Sequence, residues 1–316
     1  MRADLHVHTC HSKQAGNMRF LRSRDCYSNP LDVYRRAKDR GMDLVAITDH
    51  DSIDGALELM DRLPQPHDVI VGEEVSCWLG KIEVHLGVYG MTASLHRDIQ
   101  PLRRHALDVI ACLNGAGVFF ALNHLLHFYR GQAPLQDYLC LLDAVPAMEV
   151  RNGAMLPAHN VLIETIATAW NAGSDRPPLG MIGGSDAHTL RRIGRTWTEA
   201  PGRTREEFFE SLRCGLGRPG GDHGGVPTIA GDTYGVIRSY IGSLAGFGVR
   251  DHAGAYRAAC LAFSACSLPF QFVPVVIAIA RKQAEAGAVR DVTAQLSALL
   301  NNEAAGRSLA AEGVRL

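Results

Sequence analysis

The chain alternates. Apolar runs of strand length recur along its first two thirds, separated by segments with helical spacing of apolar residues. The strand-like runs are 3–9, 43–49, 68–76, 82–89, 117–124, 144–151 and 179–185, with a short one near 196–200. The helix-like segments are 31–40, 54–62, 98–115, 134–142, 156–173 and 204–214. Repeated strand–helix alternation predicts a mostly parallel sheet covered by helices. This many units predict a closed barrel more than an open sheet, and barrels collect functional groups at the C-terminal ends of their strands.

Those ends are where the polar residues fall. The first run carries His6 and His8, which share a strand face because successive side chains alternate. Later runs lead into Asp49-His50-Asp51, Glu73-Glu74, Asn123-His124, Arg151-Asn152-Gly153 and Ser185-Asp186-Ala187-His188, and the run around Val84 contains His85. Seven segments in phase imply one shared site.

Imidazole nitrogens with carboxylate oxygens suit divalent Mn, Zn or Fe. The candidate ligands are His6, His8, His50, Glu74, His85, His124, Asp186 and His188, with His11 or Asp25 as additions. That is enough for two or three ions. Spacing alone does not separate Glu73 from Glu74, which face opposite sides of a strand. Asp49 is a candidate for orienting a ligating imidazole, and Glu149 for anchoring the loop after its strand. For phosphate, Arg151, Arg195 and Arg130 are candidates, since the guanidinium fork matches two phosphate oxygens. The polar connection 10–30, with Arg19, Arg22 and Arg24, is long for its position and lies beside the proposed site.

Composition narrows the partners. The 316 residues carry a formal net charge of -1, so no overall field draws nucleic acid or membrane. The expected partner is a small phosphorylated substrate, with no stable nucleic-acid partner and no membrane. The eight cysteines form no C-x-x-C pair. With no signal peptide visible at the N-terminus, a cytoplasmic protein with reduced thiols is expected.

After residue 214 the pattern changes. The barrel is expected over 1–214, a glycine-rich linker over 215–235, and a helical region of unassigned role over 236–316. Within the last, 263–280 is strongly apolar but holds Pro269, Gln271 and Pro274. It reads as a buried helix hairpin, packed on the barrel or on a second subunit, rather than a membrane span. Homo-oligomerisation through these helices is part of that expectation.

With these motifs in place, the chain resembles the PHP family (polymerase and histidinol phosphatase) of metal-dependent phosphoesterases. The matching pieces are Asp4-Leu-His-Val-His-Thr9, Ile47-Thr-Asp-His-Asp51, Gly72-Glu-Glu-Val-Ser76, His85, Asn123-His124, Glu149-Val-Arg-Asn-Gly153 and Gly184-Ser-Asp-Ala-His188. The resemblance implies an α/β fold, a distorted (β/α)7 barrel, here with a C-terminal helical extension. It implies two or three divalent ions held by the eight ligands above, with Glu74 as the ligating glutamate. Many members place an aspartate shortly after the His-x-His. Here the next one is Asp25, so either Asp25 loops back or His11 substitutes.

The expected activity is hydrolysis of a small phosphate monoester, of the nucleotide or sugar phosphate class, by metal-bound hydroxide. Asp186, His188 and His50 are the expected catalytic residues. The alternatives are an exonuclease-like phosphodiesterase acting on nucleic-acid ends, and a metal-binding scaffold without turnover.

Overall fold

The structure is a computed structural model that describes residues 1–12, 21–127, 135–173, 177–249 and 253–311, with side chains of the last helix to residue 298. Nine strands form one sheet: β1 Arg2–Asp4, β2 Leu44–Ile47, β3 Val69–Leu79, β4 Ile82–Tyr89, β5 Phe119–Asn123, β6 Ala147–Asn152, β7 Gly180–Gly184, β8 Thr196–Glu199 and β9 Arg218–Gly221. Their spatial order is β7-β6-β5-β4-β3-β2-β1-β8-β9. The sheet curls until its two ends meet. Val7 bridges Ala187, and Thr198 Oγ1 both accepts from Gly183 N (2.7 Å) and donates to Gly183 O (2.8 Å). The result is a nearly closed barrel.

The sheet is mixed rather than mostly parallel. β1, β2 and β3 run parallel, as do β5, β6 and β7, but β4 is antiparallel to both its neighbours. Only Gly80 and Lys81 separate β3 from β4, and a parallel crossover needs a dozen residues or more. Gly80, at φ +61°, supplies the tight turn.

One buried cluster runs through the lower barrel. It includes Leu44, Ala46, Ile70, Tyr89, Phe119, Ala121 and Ala147, with Phe208 and Phe209 closing it from below. Continuing in steps of two along the same strands leads to His50, Glu74, His85, Asn123 and Glu149. One face is therefore apolar at one end of the barrel and polar at the other. β4 runs the opposite way, so its histidine comes in mid-run rather than at the end.

The helices are α1 Pro30–Asp39, α2 Asp54–Arg62, α3 Ala93–Ile99, α4 Ala106–Ala116, α5 Leu135–Leu139, α6 Pro157–Gly173, α7 Arg205–Arg213, α8 Val226–Ala245, α9 Gly254–Cys266 and α10 Val273–Ala311. α1 shows how they start. The Asn29 side chain accepts from Leu31 N, Pro30 sits in the first turn, and Val33 and Ala37 are buried four apart. The single helix expected at 98–115 is two, α3 and α4. Pro101 lies in the break between them, where it lacks the amide hydrogen that helix interiors need.

The 215–235 stretch differs most from expectation. It is not a free linker. It supplies edge strand β9, and α8 begins at Val226 with Pro227 in its first turn. The apolar hairpin differs as well. α10 buries Ala278, Lys282, Ala288 and Val292 along one face, and Ala288 and Val292 join the cluster of Leu162 and Ile163 on α6. The bend between α9 and α10 is not buried: Leu268, Phe270 and Phe272 are 62%, 60% and 60% exposed. Pro269 lies in the turn between the helices and Pro274 in the first turn of α10, so the chain bends there and the tip projects beyond the packed stem. Among the described residues no single helix is long and apolar enough to cross a membrane, although α9 and α10, bent by 54°, pass that test as a pair.

Candidate metal centre

Glu74 lies at the middle of the polar end, fully buried on β3. Its Oε2 is 3.0 Å from His6 Nε2, 3.1 Å from His50 Nδ1 and 3.4 Å from His8 Nε2. Its Oε1 is 3.0 Å from His124 Nε2, 3.1 Å from His85 Nδ1 and 3.1 Å from Asn123 Nδ2. Each oxygen faces a different set of imidazoles. The neighbouring Glu73 points to the other side of β3, where His96 Nδ1 lies 2.7 Å from it. The alternation of a strand thus separates the two glutamates.

His6 and His8 come from the extension of β1, His50 from the end of β2, His124 from the end of β5, and Asp186 and His188 from the turn after β7. Asp186 Oδ1 is 3.4 Å from His8 Nε2, 3.7 Å from His6 Nε2 and 3.6 Å from His188 Nδ1. Both His124 and Asp186 have positive φ, +25° and +50°. Non-glycine residues pay for that conformation, and such strain concentrates at functional sites.

Asp25 loops back. Its Oδ2 is 3.6 Å from His188 Nε2 and 3.9 Å from His50 Nε2, and it accepts from Ser12 Oγ at 3.0 Å. His11 turns away, with its Nε2 2.6 Å from Glu58 Oε2 on α2. Of the two residues that could follow the histidine pair, only Asp25 is brought to the cluster.

The arginines are not. Arg151 donates to Gly221 O at 3.2 Å, and Arg195 pairs with Asp222 at 3.3 Å on the surface. A register shift in β6 between Glu149 and Arg151 explains the first case. A regular strand would put both on one face, but the bulge rotates Arg151 away. Asn152 takes its place, donating to Glu149 Oε2 (2.9 Å) and Asp186 Oδ2 (3.3 Å). Arg130 lies outside the described residues.

Glu149 and Asp49 act otherwise than the sequence suggests, and Asp4 and His127 contribute without a role assigned from sequence. Glu149 Oε1 is 3.0 Å from His6 Nδ1, and its Oε2 accepts from His124 N. It therefore orients a candidate ligand rather than only anchoring a loop. Asp4 accepts from Ser185 N (2.8 Å) and Gly194 N (2.7 Å), tying β1 to the turn that carries Asp186. Asp49 accepts from Thr9 Oγ1 at 2.7 Å, so it pins the strand after His8 instead of orienting an imidazole. His127 places its ring 5.1 Å from that of His124. Asn152 stands in a strand-end triplet, a signal that could have marked it. The others depend on contacts across the barrel that no local pattern carries.

The electrostatics are those of a charge-dense, water-poor pocket. Burial raises the pKa of Asp4 to about 6 and that of Asp49 to about 7. Burial also opposes ionisation of Glu74, yet His6, His50 and His85 together hold it well below the usual carboxylate range. Burial opposes protonation of His85 and His188 as well. Glu74 and Glu83 nonetheless raise His85 to about 9, and Asp25 and Asp186 raise His188 to about 9. Burial drives His50 well below the usual imidazole value.

These residues fit divalent metal. His6 Nε2, both nitrogens of His8, His50 Nδ1, Glu74 Oε2 and Asp25 Oδ1 are buried without a hydrogen-bond partner. Unsatisfied buried polar atoms are costly, and here they converge on one volume. Four overlapping groups bring their ligand atoms within 4.8 Å of one another: His6, His8 and Glu74; His50, Glu74 and His85; His6, His124 and Asp186; and His8, His50 and His188. Nitrogen and carboxylate oxygen together suit Mn, Zn or Fe.

A barrel with a histidine–carboxylate cluster at its strand ends is an arrangement suited to divalent metal. Comparison with known proteins gives the particular likeness. Residues 172–216 match the PHP-associated family, a segment that includes Asp186 and His188. A two-domain protein from Bacteroides vulgatus, containing a predicted PHP-like metal-dependent phosphoesterase, shares the fold. Its TM-score is 0.52 at 16% identity, over 76% of this chain and 69% of that one. PsfC from Pseudomonas syringae aligns over 76% of this chain and 96% of its own, with a TM-score of 0.49 and 21% identity. An uncharacterized protein of Methanocaldococcus jannaschii is 36% identical over 84 residues, 26% of this chain and 48% of that protein. The chain thus matches about half the length of that curated relative. The resemblance to the PHP family is carried by the matched segment and by the shared fold.

Proposed function

We propose that this chain is a metal-dependent hydrolase of phosphate esters, acting on small phosphate monoesters of the nucleotide or sugar phosphate class. The observation that carries the reading is Glu74, whose two buried oxygens face separate sets of imidazoles. Glu74 and the imidazoles on either side of it would together hold divalent ions.

His6, His8, His50, His85, His124, His188, Glu74, Asp25 and Asp186 would hold two or three divalent ions. When bound, such ions polarise a phosphoryl oxygen and lower the pKa of water. The chain's own part is orientation and proton handling. Glu149 fixes the ring of His6, and Asn152 fixes Asp186. Asp186 accepts the proton of the attacking water, with His188 beside it.

The exposures give the direction of approach. Glu74 and His8 are sealed, whereas the side chains of Asp25 and Asp186 are each 12% exposed and that of His188 is 25% exposed. Substrate reaches the cluster from that side. A cytoplasmic setting belongs to the same proposal and is supported by cysteines without paired motifs.

The test is phosphate release from a library of phosphorylated metabolites, with Mn, Zn and Fe supplied in parallel. Labelled single strands are run beside it. Release from small esters supports the proposal, and trimming of strand ends alone moves the substrate class to nucleic acid.

A further inference from the structure

The C-terminal extension has no role in the cluster's ligand set, yet it reaches the two loops that form the cluster's open side. α8 touches both. In its second turn, Asp232 Oδ1 accepts from Thr189 Oγ1 at 2.9 Å, one residue past His188. Asp232 Oδ2 is also 3.9 Å from Arg192 Nε. Arg192 is buried and donates to Gly153 O and Ser185 O.

Gly235 lets α8 approach the His188 loop this closely, and Gly231 leaves room for the end of the Arg191 side chain. A Cβ at Gly235 would lie 2.8 Å from Thr189 Cγ2, and one at Gly231 would lie 2.4 Å from Arg191 Nη2. Glycine costs helix stability, roughly 0.5–1 kcal/mol against alanine. Two of them four apart on one face fit close packing better than a linker.

Two turns further on, about 12 Å along the axis, α8 meets the other loop. Tyr240 Oη donates to Leu21 O at 3.4 Å, and its ring stands 6.3 Å from that of Tyr27. Leu21, Tyr240, Leu244 and Cys260 form a small core of their own, which joins α8, α9 and this loop. Arg22 lies over the Tyr256 ring of α9 at 4.9 Å. Tyr27 in turn accepts from Arg24 N at 3.0 Å, beside Asp25.

We propose that α8 is a clasp that holds the Asp25 loop and the His188 loop together, so that the ion position formed by His8, His50 and His188, with Asp25 beside it, depends on it. Tyr240, Gly235 and Asp232 are then positioning residues. They touch neither ion nor substrate, and they act by setting the distance between Asp25 and His188, 3.6 Å here. The inference rests on reading the cluster as a multi-ion centre. It also gives Leu21 and Tyr27, in the described part of the insertion after the histidine pair, a structural partner in α8.

The experiment is a count of manganese per chain, by equilibrium dialysis of the full-length protein with elemental analysis. Tyr240→Ala, Gly235→Val and Thr189→Val are compared with wild type, Tyr240→Phe and Asp25→Asn. The clasp predicts that Tyr240→Ala and Gly235→Val each weaken, at least tenfold, the ion that Asp25→Asn also weakens, leaving the others unchanged. Thr189→Val, which removes the hydroxyl that donates to Asp232, shows the same effect to a smaller degree. Tyr240→Phe keeps the ring and restores wild-type binding. Combining Tyr240→Ala with Asp25→Asn produces no further loss. Unchanged binding in Tyr240→Ala and Gly235→Val overturns the clasp, and so does equal weakening of every ion. Wild-type protein that binds manganese, none of it dependent on Asp25, overturns the clasp and leaves the metal reading standing. Wild-type protein that binds no divalent ion removes both.

Discussion

Glu149 Oε1 lies 3.0 Å from His6 Nδ1, and this contact decides which nitrogen His6 turns toward Glu74. With Nδ1 engaged by a carboxylate, Nε2 is left for the centre, 3.0 Å from Glu74 Oε2. Such outer partners fix the tautomer and raise the basicity of a ligating imidazole. Glu149→Gln is therefore expected to lower divalent-ion affinity by about 10- to 100-fold while far-UV circular dichroism stays unchanged. Equilibrium dialysis against manganese reads the first quantity, and undiminished affinity contradicts the role.

Asp186 is the carboxylate on the open side of the cluster that Asn152 orients, its side chain 12% exposed. Replacing it by asparagine keeps the shape and removes the proton acceptor. Asp186→Asn should lower phosphate release by roughly 10²–10⁴-fold, the usual scale of general acid–base catalysis, with the far-UV circular dichroism of the chelated protein unchanged. Retained turnover would sink the assignment.

Asp25 and His11 separate cleanly. His11→Ala should leave both ion count and turnover as they are, because His11 is bonded to Glu58. Asp25→Asn should weaken one ion. The reverse pattern, read by elemental analysis of the dialysed variants, assigns the position to His11.

The pH dependence follows from the imidazoles. His85 and His188 rise from 6.5 to about 9 in the folded chain without metal. They bind protons more tightly folded than unfolded. That stabilisation is complete below about 6.5 and is lost as pH rises through 9. Divalent ions compete for the same nitrogens. Chelated protein is thus predicted to lose stability between pH 6.5 and 9, while the increase in melting temperature on adding manganese grows. Differential scanning fluorimetry across that range checks both trends, and a metal-induced shift that shrinks with pH is the contrary result.

Gly184 sets how closely β7 approaches the first histidine. A Cβ there would lie 2.3 Å from His6 Cβ and 2.6 Å from its backbone nitrogen. Backbone must shift to make room, so Gly184→Ala should cost about 1–3 kcal/mol, the scale of overpacking. Urea denaturation measures it, and an unchanged midpoint would mean the barrel closes more loosely than its contacts indicate.

Much of this was legible in the sequence, for identifiable reasons. His6, His8, His50, His124, Asp186 and His188 stand at strand ends, where alternation and barrel topology force convergence. The choice between Glu73 and Glu74 and the destination of Asp25 depend on facing and on a long loop, and local spacing carries neither. Arg151 was misplaced by a single bulge in β6, since one extra residue reverses the face. The glycines of α8 read as a linker because glycine signals a turn in isolation. Their use as a contact surface shows only beside Thr189. β4 hid the barrel's antiparallel turn, although the two residues before it already exclude a crossover.

The most direct test of the account is phosphate release by manganese-loaded and chelator-stripped protein, beside Glu74→Gln, on a panel of small phosphate monoesters. The account predicts release by the loaded wild type alone, with Glu74→Gln losing both ions and turnover. Wild-type protein that retains its full complement of ions and releases phosphate from none of the esters contradicts it.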